Sequence, residues 1–374
     1  MLAYSIRRSC LRQSPARLPV LLAKRCLSTT ADYSQLQTEM PSRKLPILYD
    51  DLTTRNAHNL NVSLASFLPN DWLSPDAYEG LLPLSDSKDH LDPAWHLVYF
   101  NPALPASKLL PDGTDPNQSP GEPFVRRMWA GGQVRFNPQK DSRGSRVALG
   151  LDGKRYACVE GIRDVTIKGK TGSEKIFVGI ERRFGSAGSD GEEAIRSRLW
   201  STDQEEFKNA VVIERRNIVF MRERTPEELQ AAKEAGAAPP PPGKMLMPQN
   251  QPTFTHTLTP TATLLFRYSA LTFNAHAIHL DPHYCSTVEA HRGLLVHGPL
   301  TFTLLTTMLN DHIGRGKKGR FINNIEYRNL APLYANEPLK LCGREMDESG
   351  TKYEIWAETP SGGIAVKGTA RVGE

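Results

Sequence analysis

Five polar side chains, four of which can bind or transfer protons, lie in one short segment of this sequence: Asn274, His276, His279, Asp281 and His283. Imidazole titrates near neutral pH, so a histidine here can take a proton beside a carbonyl or return one to a leaving hydroxyl. An asparagine can hold a water or hydroxyl by hydrogen bonds. One histidine alone is more often structural, but six of the ten lie between positions 256 and 297. We therefore expect proton-transfer chemistry, centred on His279.

The same side chains are also possible metal ligands. However, the H-E-x-x-H pattern is absent, and no cysteine pair lies nearby at the spacing of a zinc finger. Cys158, Cys285 and Cys342 are far apart, and Cys285 is expected to pack rather than react. Proton transfer is favoured, and we predict no metal or redox cofactor.

An apolar run from Gly293 to Leu309 follows the polar segment with almost no charge. Pro299 suits a first helical turn, and the apolar positions cover the whole circumference, so the run predicts a buried helix. Gly314 is a candidate terminator. The free N–H groups around Gly298 would carry partial positive charge and could hold a carbonyl oxygen as it becomes negative. The alternative is that Gly298 only permits the turn.

Both segments resemble the hydratase 2 motif of the hotdog-fold (R)-specific enoyl-thioester hydratases and dehydratases. The family pattern is roughly Gly-Asp-x-Asn-Pro-Leu/Ile-His, and residues 273–279 read Phe-Asn-Ala-His-Ala-Ile-His; a later Gly-x-x-x-His-Gly pattern matches residues 293–298. The resemblance places the catalytic histidine on His279 and the catalytic aspartate on Asn274. An amide cannot act as a general base. More of the proton transfer would then rest on His279, with His276 or Asp281 sharing it.

Within that family, the segment resembles a branch that holds mitochondrial hydroxyacyl-thioester dehydratases of type 2 and mesaconyl-CoA hydratase-like proteins. The resemblance implies dehydration of a (3R)-hydroxyacyl thioester, on acyl carrier protein or coenzyme A, in mitochondrial fatty acid synthesis. His279 would move the α-proton, Asn274 with His276 would hold the departing water, and the Gly298 N–H would stabilise the thioester oxygen. His297 would contact the substrate.

Two other functions stay open. One is hydration of a short dicarboxylic acyl-CoA such as mesaconyl- or itaconyl-CoA, with Arg267, Arg292 or Arg328 holding the second carboxylate. The other is a catalytically silent hotdog that binds acyl thioesters, which the missing aspartate at position 274 favours. The retained His279 argues against it.

The order of the helices and strands that must position these residues predicts an α+β fold. With the resemblance, it implies a double hotdog in one chain: two antiparallel sheets, each wrapped on a central helix. We place an N-terminal half without the catalytic signature at 45–224, a capped helix and Pro-rich linker at 225–250, and the catalytic half at 251–374. Strands are expected at 95–100, 155–160, 163–168, 321–329 and 352–358, and interrupted helix at 46–68. The irregular stretch 101–123 either covers a substrate channel or is an insertion without a role.

The first 30 residues carry six positive side chains, and no acidic residue precedes Asp32. This composition is typical of a mitochondrial presequence and predicts the mitochondrial matrix. These six charges exceed the formal net charge of the whole chain, +5, so the basic pI gives no support to nucleic-acid binding. No apolar run reaches membrane-spanning length. A homo-oligomer is an open alternative.

A basic, Gly-rich segment follows the apolar helix and contains Arg315, Lys317 and Lys318. It is either a solvated loop or a contact for the phosphates of coenzyme A or of a carrier arm.

Overall fold

The strands of the two halves join edge to edge in one antiparallel sheet. The computed structural model describes residues 32–73, 90–140, 142, 144–237, 245–316 and 319–374. The N-terminal half supplies five strands: β1 Leu48–Asp51, β2 Arg126–Phe136, β3 Arg155–Lys168, β4 Lys175–Ser186 and β5 Val212–Met221. The C-terminal half supplies five more: β6 Phe254–Leu258, β7 Phe321–Asn329, β8 Leu339–Glu345, β9 Lys352–Glu358 and β10 Ile364–Gly373. The strand order is β1-β3-β4-β5-β2-β7-β10-β9-β8-β6.

The helices come before or between these strands. The described residues form α1 Leu36–Ser42, α2 Thr54–Leu64, α3 Glu192–Leu199, α4 Pro226–Ala237, α5 Ala262–Leu271, α6 Pro282–Thr287 and α7 Gly298–Gly316. Short 3-10 turns cover Asn70–Trp72, Trp95–Val98, Ala106–Lys108 and Ala277–His279.

The seam between the halves is the pairing of β2 with β7, from Gly131 opposite Arg328 to Arg135 opposite Asn324. The Trp129 indole N–H donates to the Tyr327 hydroxyl across it at 3.0 Å. The α+β fold is thus confirmed. The two sheets predicted from the sequence join at this seam as the halves of one ten-stranded sheet, because the edge strand β2 pairs with β7.

The predicted buried helix is α7, and it forms the centre of the main core. Leu300, Leu304, Leu305 and Leu309 are each 0% exposed. These residues pack in one cluster with α2 and with strands of both halves. The helix does not end at Gly314, as predicted, but continues to Gly316, and the Arg315–Asp311 ion pair at 2.7 Å bridges its last turn.

Local structure in the N-terminal half departs from the prediction in three places. Residues 46–68 form β1 and α2, not an interrupted helix, and 155–168 form one strand with a register shift between Ile162 and Asp164. Residues 95–98 form a buried 3-10 turn, not a strand. There the Tyr99 hydroxyl donates to the Thr53 carbonyl at 2.6 Å, so contacts with α2 override the β-like composition.

The capping box predicted at residue 225 is present. The Glu228 N–H donates to Thr225 Oγ1 at 3.2 Å, and the Thr225 N–H donates to Glu228 Oε2 at 3.1 Å. The predicted presequence, the proline tract at 239–242, Lys317 and Lys318 lie outside the described residues.

Candidate active site

A cavity of about 710 Å³ lies between the two halves. Its walls come from the loop 97–118, β2 and β5 on one side and from residues 266–301 and 329–333 on the other. The structure brings five of the predicted site residues together in its lining: Asn274, His276, His279, His297 and Gly298.

His279 ends the 3-10 turn Ala277–His279 and is 7% exposed. Its Nδ1 lies 2.8 Å from the carbonyl oxygen of Leu295. Because a carbonyl can only accept, we assign the proton of the neutral ring to Nδ1 and the lone pair to Nε2. The structure therefore presents the imidazole in the tautomer that can take a proton at Nε2.

His297 packs face to face on His279, with ring centroids 3.6 Å apart. Its Nε2 lies 2.8 Å from Ser269 Oγ, and its Nδ1 is buried without a hydrogen-bond partner. Burial holds the pKa of His297 well below its ordinary value, with the charges of His279 and His276 adding to the effect. In this position the neutral ring fixes the plane of His279.

Burial also keeps His276 and His279 uncharged. It lowers the pKa of His276 to about 3, helped by the charge of Arg127, and that of His279 to about 3, helped by the repulsion that a protonated His276 would add. Both rings therefore stay neutral, each with one free lone pair, throughout the neutral range.

These depressed pKa values predict acid-sensitive stability. Between the unfolded pKa of about 6.5 and the folded value, the unfolded chain binds more protons, so stability falls as pH falls. We expect each of His276 and His279 to lower the free energy of unfolding by up to about 1.4 kcal/mol per pH unit below pH 6.5. Urea unfolding between pH 7.5 and 5 measures this slope. His279→Gln should reduce the slope, and an unchanged slope would contradict the burial argument.

Asn274 shapes the segment as well as facing the cavity. Its Oδ1 accepts the backbone N–H of His276 at 3.0 Å. The amide NH₂ is therefore the group left to contact a water or hydroxyl, and it can only donate.

Asp281 and His283 do not join the site. The Asp281 carboxylate caps α6 by accepting from the N–H groups of His283 at 2.8 Å and Tyr284 at 3.1 Å, and both side chains are exposed. The suggestion that Asp281 shares the proton transfer is therefore wrong. Cys285 donates to the Ile278 carbonyl at 3.1 Å, and burial raises its thiol pKa to about 11, which agrees with a packing role.

Gly298 begins α7 at the cavity, where the first N–H groups of a helix have no intrahelical partner. A Cβ at this position would lie 2.8 Å from Asn329 Nδ2. That amide is itself held, because it donates to the Trp129 carbonyl at 2.8 Å. The glycine therefore does more than permit a turn: it lets the helix N-terminus lie against the β2–β7 seam.

We expect Gly298→Ala to lower kcat about 10²-fold, because it displaces the N–H groups that are predicted to hold a carbonyl oxygen. Gly314→Ala is the matched control, since it lies on the same helix and a Cβ there meets nothing within 4 Å. Steady-state kinetics of both variants tests this expectation. Equal activity would leave Gly298 a turn residue only.

Sequence reasoning missed Asp112, a buried residue of the N-terminal half. Its Oδ2 lies 3.6 Å from His276 Nε2, and its carbonyl accepts the Ala277 N–H at 2.9 Å. The stretch 101–123 thus contacts the segment 274–279 and lines the cavity, which favours the first of its two alternatives, a covering role. A lone aspartate in a Pro-rich loop carries no sequence signal for this contact.

Four arginines line the cavity, but none of them was proposed from the sequence as a substrate-binding cation: Arg126, Arg127, Arg216 and Arg224. The three candidates for a second carboxylate, Arg267, Arg292 and Arg328, are exposed and do not line it. Arg292 instead pairs with Glu337 at 2.7 Å. Those assignments are wrong because the arginines that reach the cavity are selected by the faces of the strands and helices that carry them. The sequence does not show which face points to the cavity.

Arg315 lies near the opposite end of α7 from Gly298, roughly 25 Å away along the helix. It pairs with Asp71 and Asp311, each at 2.7 Å, and does not line the cavity. The predicted phosphate contact therefore stays a prediction. In the ranges that the structure describes, no three His, Cys, Asp or Glu side chains converge as metal ligands, and no helix is long and apolar enough to cross a membrane.

Residues 94–335 match the model of the family described as hydroxyacyl-thioester dehydratase type 2. The chain is 31% identical over 293 residues to a mesaconyl-C(4)-CoA hydratase of Chloroflexus aurantiacus, covering 78% of this chain and 86% of the relative. It is 26% identical over 305 residues to a mitochondrial hydroxyacyl-thioester dehydratase type 2 of Schizosaccharomyces pombe, covering 79% and 89%. A MaoC-like dehydratase structure from Phytophthora capsici covers 90% of this chain and 98% of its own, with a TM-score of 0.58 and 12% identity, and shares its fold.

Proposed function

The chain belongs to the hydroxyacyl-thioester dehydratase type 2 family and is a hydro-lyase. From this premise we propose that it dehydrates (3R)-hydroxyacyl thioesters to trans-2-enoyl thioesters in mitochondrial type II fatty acid synthesis. The observation that carries the proposal is that His279 has one nitrogen left to accept a proton. Its Nδ1 donates to the Leu295 carbonyl at 2.8 Å, which leaves Nε2 as the acceptor, and the residue lines the cavity.

In this reaction His279 Nε2 takes the proton from C2 of the acyl group, and the electron pair forms the C2–C3 double bond as the C3–O bond breaks. The hydroxyl leaves with that same proton as water, so the protein ends unchanged. The Gly298 N–H holds the thioester oxygen while it carries negative charge. Asn274 donates to the departing oxygen, and His276 accepts from its hydrogen.

The rim of the cavity supports an acyl substrate. Several exposed apolar side chains line it, and a bound acyl chain would cover them: Met128, Phe266, Phe273, Leu280 and Leu330. Burying such surface stabilises a complex by about 25 cal/mol per Å². This favours substrates with a hydrocarbon tail over the shortest acyl groups.

The thioester is carried by acyl carrier protein or coenzyme A, and the proposed site of action is the mitochondrial matrix. The support for this location is that the relatives in Schizosaccharomyces pombe and Saccharomyces cerevisiae are both named mitochondrial. Size-exclusion chromatography tests the homo-oligomer that the sequence leaves open.

The second candidate is hydration of a short dicarboxylic acyl-CoA. Its support is the mesaconyl-C(4)-CoA hydratase relative and the cationic wall of the cavity. Arg224 is the best-suited cation, because it lines the cavity, its Nε is buried without a hydrogen-bond partner, and no ion pair of it is found among the described residues.

If the substrate is dicarboxylic, Arg224→Leu should raise KM for mesaconyl-CoA about 10- to 100-fold relative to KM for crotonyl-CoA, since a hydrogen bond to a charged group contributes about 1.5–3 kcal/mol. Steady-state kinetics with both thioesters measures this. An equal change on both substrates would contradict a carboxylate-binding role for Arg224.

The experiment that tests the proposed function is hydration of crotonyl-CoA, a long trans-2-enoyl-CoA and mesaconyl-CoA by the purified chain. Turnover of the straight-chain thioesters, faster for the long one, supports the fatty acid synthesis role. Activity confined to mesaconyl-CoA selects the second candidate. No turnover of any of the three would favour a silent acyl-thioester-binding hotdog.

A further inference from the structure

We propose that Asp112 of the N-terminal half is a positioning residue that fixes the tautomer and orientation of His276. The proposal deepens the proposed function, and it rests on that function for its kinetic consequence. By this proposal the N-terminal half, which lacks the catalytic signature, contributes a side chain that orients a residue of the site.

The Asp112 carboxylate is held in place on one side and open on the other. Oδ1 accepts from the Thr114 N–H at 2.9 Å and from the Thr114 hydroxyl at 2.5 Å. Oδ2 is buried without a hydrogen-bond partner, and Asp112 is 4% exposed. A buried carboxylate oxygen left unpaired is costly, so the nearest donor is the expected partner.

That donor is the ring of His276, whose Nε2 lies 3.6 Å from Oδ2. Such contacts are often long in unliganded enzymes and tighten when substrate binds. The Arg127 Nε is the other donor near Oδ2, at 4.0 Å. Arg127 is anchored elsewhere, because it donates to the Asp115 carbonyl at 2.9 Å.

The backbone holds the two segments in register. The Ala277 N–H donates to the Asp112 carbonyl at 2.9 Å, and Gly113 lies against Ala275 so closely that a Cβ would meet the Ala275 oxygen at 2.2 Å. The loop is therefore docked on the segment 274–279 next to His276. The approach of Asp112 to His276 follows from this docking.

A carboxylate can only accept, so a bond from His276 to Oδ2 places the ring proton on Nε2 and leaves the lone pair on Nδ1. In the dehydration step Nδ1 can then accept a hydrogen bond from the departing hydroxyl. Asn274 has only donors to offer that hydroxyl, because its Oδ1 is already occupied by the His276 N–H. Asp112 thus supplies, through His276, an acceptor that Asn274 lacks.

Asp112→Asn tests this assignment, because the amide can present its NH₂ to Nε2 and favour the opposite tautomer. Asp347→Asn is the matched control: that carboxylate also holds the N–H and hydroxyl of a threonine, Thr351, but outside the cavity. The first readout is the long-range ¹H–¹⁵N spectrum of histidine-labelled chain, with His276→Gln used to assign the signal. The second readout is kcat and KM for a long trans-2-enoyl-CoA.

We expect the His276 signal to change from the Nε2–H to the Nδ1–H tautomer in Asp112→Asn, with kcat about 10²-fold lower and KM nearly unchanged. Asp347→Asn should change neither. An unchanged tautomer, or an unchanged kcat, would overturn the proposal. If Asp112→Asn does not fold, Thr114→Val takes its place, since it removes only the hydroxyl that orients the carboxylate. If the parent chain has no turnover, the proposed function fails, and the tautomer alone decides the role of Asp112.

Discussion

Replacing His279 with alanine is expected to lower kcat about 10³-fold while the chain stays folded. The ring is the proposed acceptor for the α-proton, and general acid–base groups contribute about 10²- to 10⁴-fold. The change also leaves the Leu295 carbonyl, its partner at 2.8 Å, without a donor, which costs about 1–3 kcal/mol of stability. Steady-state kinetics and thermal unfolding of the same preparation separate these two effects.

His256 offers the matched control. Its Nε2 makes the same kind of contact, at 2.7 Å from the Phe67 carbonyl, but the residue lies on β6 and does not line the cavity. His256→Ala should lose comparable stability and keep its turnover. Near-normal kcat in His279→Ala would contradict the assignment of the base.

The second large effect is expected from Gly113→Ala, a change in the half that carries no catalytic signature. Gly113 has φ +84°, and an added Cβ would lie 2.2 Å from the Ala275 oxygen. The loop cannot keep its contact with the catalytic segment, so the Ala277–Asp112 hydrogen bond must break. We expect kcat/KM to fall about 10²-fold, since small displacements of positioned groups have effects of this size.

Gly121→Ala separates this contact from backbone strain. Gly121 lies on the same loop with φ +86°, but a Cβ there meets nothing within 4 Å. Both variants therefore suffer similar left-handed strain, of about 1 kcal/mol, and only Gly113→Ala disturbs the site. Equal kcat/KM losses in the two variants would show that docking of the loop is unimportant. Melting temperatures check that both chains fold.

The C-terminal half could be predicted well because its signals are local. The strands 321–329 and 352–358 are bounded as predicted. Helix α7 begins at Gly298 because Pro299 suits a first turn and the apolar run that follows needs burial on all sides. The two sequence patterns at 273–279 and 293–298 also predict that His276, His279 and His297 belong to one site, and all three line the same cavity.

Contacts between the halves could not be predicted, because nothing in a single sequence pairs one distant segment with another. The β2–β7 seam, Asp112 beside His276, and the arginines of the cavity wall all depend on which strand edges and faces meet. The misassigned residues have a different origin within the C-terminal half: Asp281 caps α6 locally, and Arg292 pairs with Glu337.

The most direct test of the account is hydration of a long trans-2-enoyl-CoA in D₂O by the purified chain, with the product analysed by NMR and chiral chromatography. A base that exchanges its proton with solvent should deliver one deuterium to C2 with a single configuration, and the product should be the (3R)-hydroxyacyl thioester. This result, lost in His279→Ala and kept in His256→Ala, is what the account predicts. A (3S) product, or the same deuterated product formed equally fast by His279→Ala, would contradict it.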